Sequence, residues 1–254
     1  MNAFEHPPIR SYSGRRGHFT RAQKSAYERL LTVHGLPFND QATDFNAVFG
    51  RSAPRIVEIG FGMGETTAAI ALARPEVDFV GIEVYPAGVG SLLRRIEESQ
   101  LRNIRVIQHD AMAVLERMIA PATLSAVHVF FPDPWPKARH HKRRLIRPEV
   151  VRLIATRLAP GGLLHCATDW GPYARWMLAV LAAEPSLDNT AGPVALDESV
   201  ELCRGFASRP DWRPLTRFEA RGLRLGHPVW DLLFRRNEAV MTALVPAVGE
   251  GAVA

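Results

Sequence analysis

Residues 55–73 read RIVEIGFGMGETTAAIALA. The opening six are an apolar, β-branched run suited to a buried strand, and the closing nine read as a helix. Between them lie Gly60, Gly62 and Gly64. Glycines at that point let the chain turn tightly out of a strand, and bring bare backbone close to whatever binds there. Strand, glycine turn and helix form the first half of an α/β unit. The rest of the chain should then repeat the alternation.

It does so in pattern. Further strand-like runs are VDFVGIEV (77–84), NIRVIQH (103–109), SAVHVFF (125–131) and GLLHCATD (162–169). Helix-like stretches separate them: Pro86 through Glu98, AMAVLERMI (111–119), PEVVRLIATRLA (148–159) and YARWMLAVLAAE (173–184). Pro148 stands where a helix start tolerates proline, and Gly161-Gly162 follows an expected helix end. Five strands alternating with five helices predict an α/β fold built on a doubly wound, mostly parallel sheet. A less regular region, 185–215, precedes a last apolar run, VWDLLF (229–234).

At 254 residues, 47% hydrophobic and 22% charged, the chain suits one domain with a sizeable core and is not disordered by composition. Residues 1–50 are expected to form a basic arm and a leading helix, 51–237 the main domain, and 238–254 a frayed tail. Cys166 and Cys203 lie far apart and match no metal-ligand spacing, which suits a reducing cytoplasm. The N-terminus lacks the apolar core of a signal peptide and no run is long enough to span a membrane, so a cytoplasmic protein is expected.

The net charge is +5, unevenly placed. Residues 1–24 hold five Lys/Arg against one acid, and Lys137 to Arg147 holds six Lys/Arg, two histidines and no acid. Arginine recurs at Arg204, Arg209, Arg213, Arg217, Arg221 and Arg224. Clustered basic charge favours a polyanion, because each neutralised phosphate releases counterions. The plain alternative for such a run is a solvated face.

In a sheet of this kind ligands bind beyond the carboxyl ends of the strands. The glycine turn departs from G-x-G-x-x-G: its third glycine comes one residue early, and Glu65 takes the final glycine's place. With Glu58 upstream, two acids would repel a pyrophosphate and suit a ligand with a cationic end, such as S-adenosylmethionine. Glu83, ending the second strand, is placed to accept from a ribose diol, and Asp110, ending the third, from an adenine amino group. Each acid alone could equally be a cap or a surface charge; NAD would also accept Glu83.

After the fourth strand the chain turns at Pro132-Asp133-Pro134-Trp135-Pro136. Proline restricts itself and its predecessor, so the turn should be stiff and hold Asp133 in one place. Otherwise the prolines only break the strand and Trp135 fills a gap. Adjacent His140 and His141 point different ways and lack a suitably spaced acid or thiolate, so no metal site is expected.

These stretches resemble the bacterial tRNA (guanine-N7-)-methyltransferase family: VEIGFGMGE, GIEVYPAGV, FFPDPWPKARHHKRRL, CATDW and TRFEARGLRLGHPVWDL, with RSYSGRRGHFTRAQ fitting its basic N-terminal arm. The resemblance runs from about residue 10 to about residue 236. It implies a class I, Rossmann-like methyltransferase fold, S-adenosylmethionine as methyl donor, and methylation at N7 of a guanosine in the tRNA variable loop. Matched motif by motif, it implies that Glu58, Glu83, Asp110 and Asp133, with Gly60, Gly62 and Gly64, line the cofactor site. It makes Asp133 the catalytic residue. Lys137, Asp169 and the stretch Thr216, Arg217, Phe218, Glu219 are implied to contact substrate. Arg139, His140, His141, Lys142, Arg143 and Arg144 are implied to bind RNA.

Asp169 and Glu219 fit acceptors for the N–H edge of guanine better than neighbours of phosphate. Their plain alternatives are a helix cap for Asp169 and an ion pair with Arg217 or Arg221 for Glu219. A small-molecule methyltransferase and a non-catalytic RNA-binding module remain as other readings. The basic strip opposes the first and the intact set of four acids the second. The chain is expected to act as a monomer or homodimer with no obligate protein partner.

Overall fold

The structure, a computed structural model, describes residues 11, 12 and 19–238. The remainder of the basic arm and the tail from 239 lie outside the described residues. Seven strands form one sheet: β1 (Arg55–Ile59), β2 (Asp78–Ile82), β3 (Ile104–Ile107), β4 (Leu124–Phe130), β5 (Leu158–Thr168), β6 (Leu187–Asn189) and β7 (Trp230–Arg236). Their order is β3-β2-β1-β4-β5-β7-β6. The first five are parallel, while β7 runs antiparallel to both β5 and β6. The order reverses between β1 and β4, which opens a crevice at their carboxyl ends.

The helices are α1 (Arg21–His34), α2 (Phe45–Phe49), α3 (Glu65–Ala73), α4 (Pro86–Glu98), α5 (Ala111–Arg117), α6 (Pro148–Arg157), α7 (Gly171–Ala182) and α8 (Arg217–Arg224). They cover both faces of the sheet. On β1, Val57 and Ile59 join a core with α5, α6 and α7, whereas Ile56 points into a second core with α1, α3 and α4. Period-two alternation on a strand buried on both sides requires this division. The leading helix α1 begins at Thr20 in a capping box with Gln23 and lies along α4.

The expected alternation stands, with two differences. The helix expected to reach 159 stops at Arg157, and β5 starts at Leu158, running through Pro160 and the glycine pair. The region 185–215 contains β6, whose three residues, Leu-Asp-Asn, carry no alternating pattern. It forms because β7 offers it an edge.

Candidate active site

The loop after β1 is shaped by glycine. Gly60, Gly62 and Gly64 have φ of 71°, 56° and 70°, in the left-handed region that costs other residues energy. Gly64 is doubly constrained, since a Cβ there would sit 2.7 Å from Cβ of Leu92. The start of α4 packs as tightly: a Cβ on Gly88 would meet the carbonyl oxygen of Gly62 at 2.3 Å. Among the described residues nothing lies within 4 Å of where a Cβ on Gly60 or Gly62 would stand, so their outer sides are open there.

Glu83 stands just past β2 and fixes this loop from the side. Its Oε2 accepts the Gly62 amide at 3.0 Å, and its Oε1 accepts those of Val84 and Tyr85 at 2.7 and 3.0 Å. Burial raises its pKa and the three amides oppose the rise, with Asp133 nearby adding a further upward push. Asp110, past β3, caps α5 through Oδ1, which accepts from Met112 and Ala113. The capping alternative is therefore realised at Asp110 while Oδ2 makes no hydrogen bond among the described residues.

Glu58 behaves differently. It is buried within β1, accepts from the Thr67 hydroxyl at 2.8 Å, and does not border the crevice. Burial pushes its carboxyl up to about 7, against the Thr67 bond and with a smaller contribution from Glu83.

The turn after β4 carries Asp133. It is bounded by two residues in left-handed conformation, Phe131 at φ 51° and Trp135 at φ 44°. Such strain persists only where the surroundings enforce it. Here the Phe131 amide donates to the Ala167 carbonyl of β5 at 2.8 Å. The Trp135 indole donates to the Ser11 carbonyl at 3.1 Å, and the Arg143 guanidinium lies over the Trp135 ring at 3.9 Å. Arg144 donates from Nε to the Pro134 carbonyl at 3.0 Å, with its guanidinium 5.0 and 5.1 Å from the rings of Tyr173 and Trp176. The stiff turn expected from the prolines is thus clamped from three sides.

The basic run folds as a 3₁₀ turn, Ala138–Arg143. Lys137, Arg139 and Lys142 are exposed and His140, His141 and Arg143 half-buried. Arg144 is only 3% exposed and faces inward. Its place in the run made it resemble its neighbours, but its guanidinium serves the Asp133 turn.

These elements enclose one crevice of about 470 Å³, lined by Gly60, Gly62, Glu83, Asp110, Asp133 and the apolar Ile59, Ile82, Met112 and Phe130 among others. Ser11 and Tyr12 of the arm and His109 also border it, residues that sequence reasoning passed over. His109 stacks on Phe38 with centroids 3.9 Å apart, and its place in QHD beside Asp110 was the available signal. Glycine backbone open to the crevice, an apolar middle and three carboxylates suit a nucleoside with a cationic tail. S-adenosylmethionine has that chemistry.

Asp169 follows β5 at the same end of the sheet and is half-buried. It does not cap α7: the N-cap is Trp170, with no side-chain cap bond. Thr216 caps α8, accepting from the Glu219 amide at 3.1 Å. Glu219 is buried, and among the described side chains its ion-pair partner is Arg213 rather than Arg221. Its two oxygens accept from Arg213 at 2.8 and 2.7 Å. The side chains of Arg217 and Phe218 lie outside what the structure describes. Among the described residues there is no cluster of three or more metal-ligating side chains, and no helix long and apolar enough to cross a membrane.

The sheet order, the glycine turn and the acids at successive strand ends define a methyltransferase of the Rossmann-like class. A family model described as "Putative methyltransferase" matches residues 52–232. The fold is similar to that of the 16S rRNA methyltransferase KamB, with a TM-score of 0.53 at 16% identity, covering 78% of this chain and 95% of that one. A curated tRNA (guanine-N(7)-)-methyltransferase of Bordetella pertussis is 59% identical over 228 residues, 90% of this chain and 85% of the relative. Relatives with the same description from Paraburkholderia xenovorans and Nitrosospira multiformis are 57% and 54% identical over 91% and 92% of this chain, and 84% and 96% of their own lengths. The chain belongs to the tRNA (guanine-N(7)-)-methyltransferase family.

Proposed function

We propose that this protein transfers the methyl group of S-adenosylmethionine to N7 of a guanosine in the variable loop of tRNA. The observation that carries the reading is the clamped turn that sets Asp133 on the wall of a nucleoside-sized crevice, with exposed Lys137, Arg139 and Lys142 leading away from it. A small-molecule methyltransferase would have no use for that basic strip.

The bound donor supplies an electrophilic methyl on a sulfonium. Guanine N7 offers an unprotonated lone pair, so the residues need remove no proton from it. As the N7–carbon bond forms and the carbon–sulfur bond breaks, positive charge passes from sulfur to the base. Asp133 would stabilise that developing cation and orient the base, because a fixed carboxylate in a partly desolvated crevice reorganises little as charge appears. Glu83 and the glycine loop would hold the nucleoside, and Asp110 the base end of it. Glu58 would act at one remove, by keeping Thr67 and the start of α3 in place behind the loop. The basic strip would bring phosphates to the crevice mouth. A target base must leave its stack to enter, at a cost of a few kcal/mol, which phosphate contacts would offset.

Incubation with labelled S-adenosylmethionine and tRNA lacking the modification tests this. Labelled N7-methylguanosine among the digested nucleosides is expected; label in any other nucleoside would overturn the assignment of the atom.

A further inference from the structure

Behind the crevice lies a group of buried charged residues that the methyl transfer does not itself use. Arg213, 1% exposed, donates Nε and one terminal nitrogen to Asp231 of β7, at 2.8 and 2.9 Å, and both terminal nitrogens to Glu219 of α8. One planar guanidinium is thus gripped two-fold from each of two elements. Burial disfavours the charge of both Arg213 and Asp231. The bonds to Glu219 and Asp231 nevertheless hold the guanidinium above its ordinary range, and those with His165 and Arg213 hold the Asp231 carboxyl below its own. Asp231 also contacts Nε2 of His165 in β5 at 2.6 Å.

The location gives this group its meaning. The Arg213 guanidinium lies 5.9 and 5.8 Å from the rings of Phe130 and Phe131, which border the crevice and lead into the Asp133 turn. His165 sits on β5, the strand that Asp169 directly follows. Glu219 ends the first turn of the helix that Thr216 caps. The end of β4, β5, β7 and the start of α8 therefore converge on this one buried group. The Glu219 side chain is 1% exposed and both its oxygens are engaged, so a guanine edge has no access to it in this arrangement.

We propose that Arg213 is a positioning residue that locks the start of α8 against the turn bearing Asp133, and that Glu219 acts on the reaction through Arg213 rather than by touching the base. The inference rests on the functional reading above and on the resemblance that implies a substrate contact for Thr216 to Glu219 at the α8 start. A rigid clamp is the chemistry required, since displacing a reacting group by about 1 Å can cost about a hundred-fold in rate.

The test is a double-mutant cycle on the full chain with unmodified tRNA transcript: wild type, Glu219→Gln, Arg213→Lys and the double variant. Lysine keeps the charge and cannot grip two carboxylates two-fold, and glutamine keeps the shape. Calorimetric titration with S-adenosylmethionine reports cofactor affinity and the fraction of chains able to bind. Each single variant should lose about ten- to a hundred-fold in kcat. Each should also keep one cofactor site per chain, with Kd within about threefold, a combination that mere loss of folded protein would not give. The double variant should be no worse than the poorer single by more than about twofold. Losses that multiply would show Glu219 touching the substrate on its own account and overturn the proposal, as would a single variant with wild-type kcat. If Arg213→Lys does not bind cofactor at one site per chain, Asp231→Asn takes its place in the cycle, removing one grip and leaving the cation. No transfer by wild type would overturn the functional reading instead.

Discussion

The carboxylate of Glu83 accepts the amide of Gly62 at 3.0 Å, tying the end of the second strand to the loop that follows the first. The same carboxylate borders the crevice, so one side chain shapes the cofactor loop and offers it an acceptor. Glu83→Ala leaves three amides without that partner, at about 1–3 kcal/mol for each one that water does not reach. Cofactor affinity should fall at least about ten-fold and the melting temperature should drop. Calorimetric titration with S-adenosylmethionine checks the first, thermal unfolding the second.

Gly88→Ala should act on the same loop from behind. Its new methyl would meet the Gly62 carbonyl at 2.3 Å, and neither backbone can yield cheaply. Overpacking of this kind costs about 1–3 kcal/mol. The expected result is a lower melting temperature together with weaker cofactor binding. Unchanged affinity would show that the loop geometry is held by Glu83 alone.

Glu58 gives stability a pH dependence with a definite sign. Its carboxyl ionises at about 7 in the folded protein against an ordinary value of 4.5. Below 4.5 both states hold the proton. Between 4.5 and about 7 only the folded state does, so stability is present at low pH and lost as pH rises through that window. The loss is about 3 kcal/mol, an order of magnitude only. Unfolding followed from pH 4.5 to 8 should show wild type losing ground to Glu58→Gln up to about pH 7 and no further. A difference independent of pH would contradict the assignment.

Arg144 and Lys142 are near neighbours with opposite expectations. Arg144→Ala removes the brace on the Pro134 carbonyl, and should lower the melting temperature and kcat while leaving the salt dependence of tRNA binding unchanged. Lys142→Ala should leave the melting temperature alone and lower the slope of log affinity against log salt by about 0.7–0.9. Binding titrations at several salt concentrations separate the two.

That contrast marks how far the sequence is legible. The sheet reads well because β-branched runs, glycine turns and helix-start prolines are local signals, and the strand-end rule converts them into positions for Glu83, Asp110 and Asp133. Arg144 is not legible, since only the 3₁₀ turn that precedes it directs this arginine inward while Lys142 stays exposed. β6 is set by an edge far away in sequence. Glu219 carries a signal that points elsewhere: Thr216-Arg217-Phe218-Glu219 spells a capping box, and the cap does form at Thr216. The Glu219 carboxylate instead goes to Arg213, across a loop that no periodicity describes. The arginines after 200 look alike in sequence, and burial alone sets Arg213 apart from exposed Arg204, Arg209, Arg221 and Arg224.

Asp133→Asn separates chemistry from binding. Loss of the fixed negative charge should lower kcat about a hundred-fold or more. Cofactor Kd should stay within about threefold, because Glu83 and the glycine loop remain. Equal losses in both would make Asp133 mainly a binding residue.

The central claim is methyl transfer to N7 of one tRNA guanosine, and its most direct test compares two unmodified transcripts. One carries guanosine in the variable loop and the other adenosine at the same place, each incubated with labelled S-adenosylmethionine. Label on the first alone, released by chemistry selective for N7-methylguanosine, is the predicted result. Equal label on both would contradict the site, and label on neither, with cofactor demonstrably bound, would contradict the substrate.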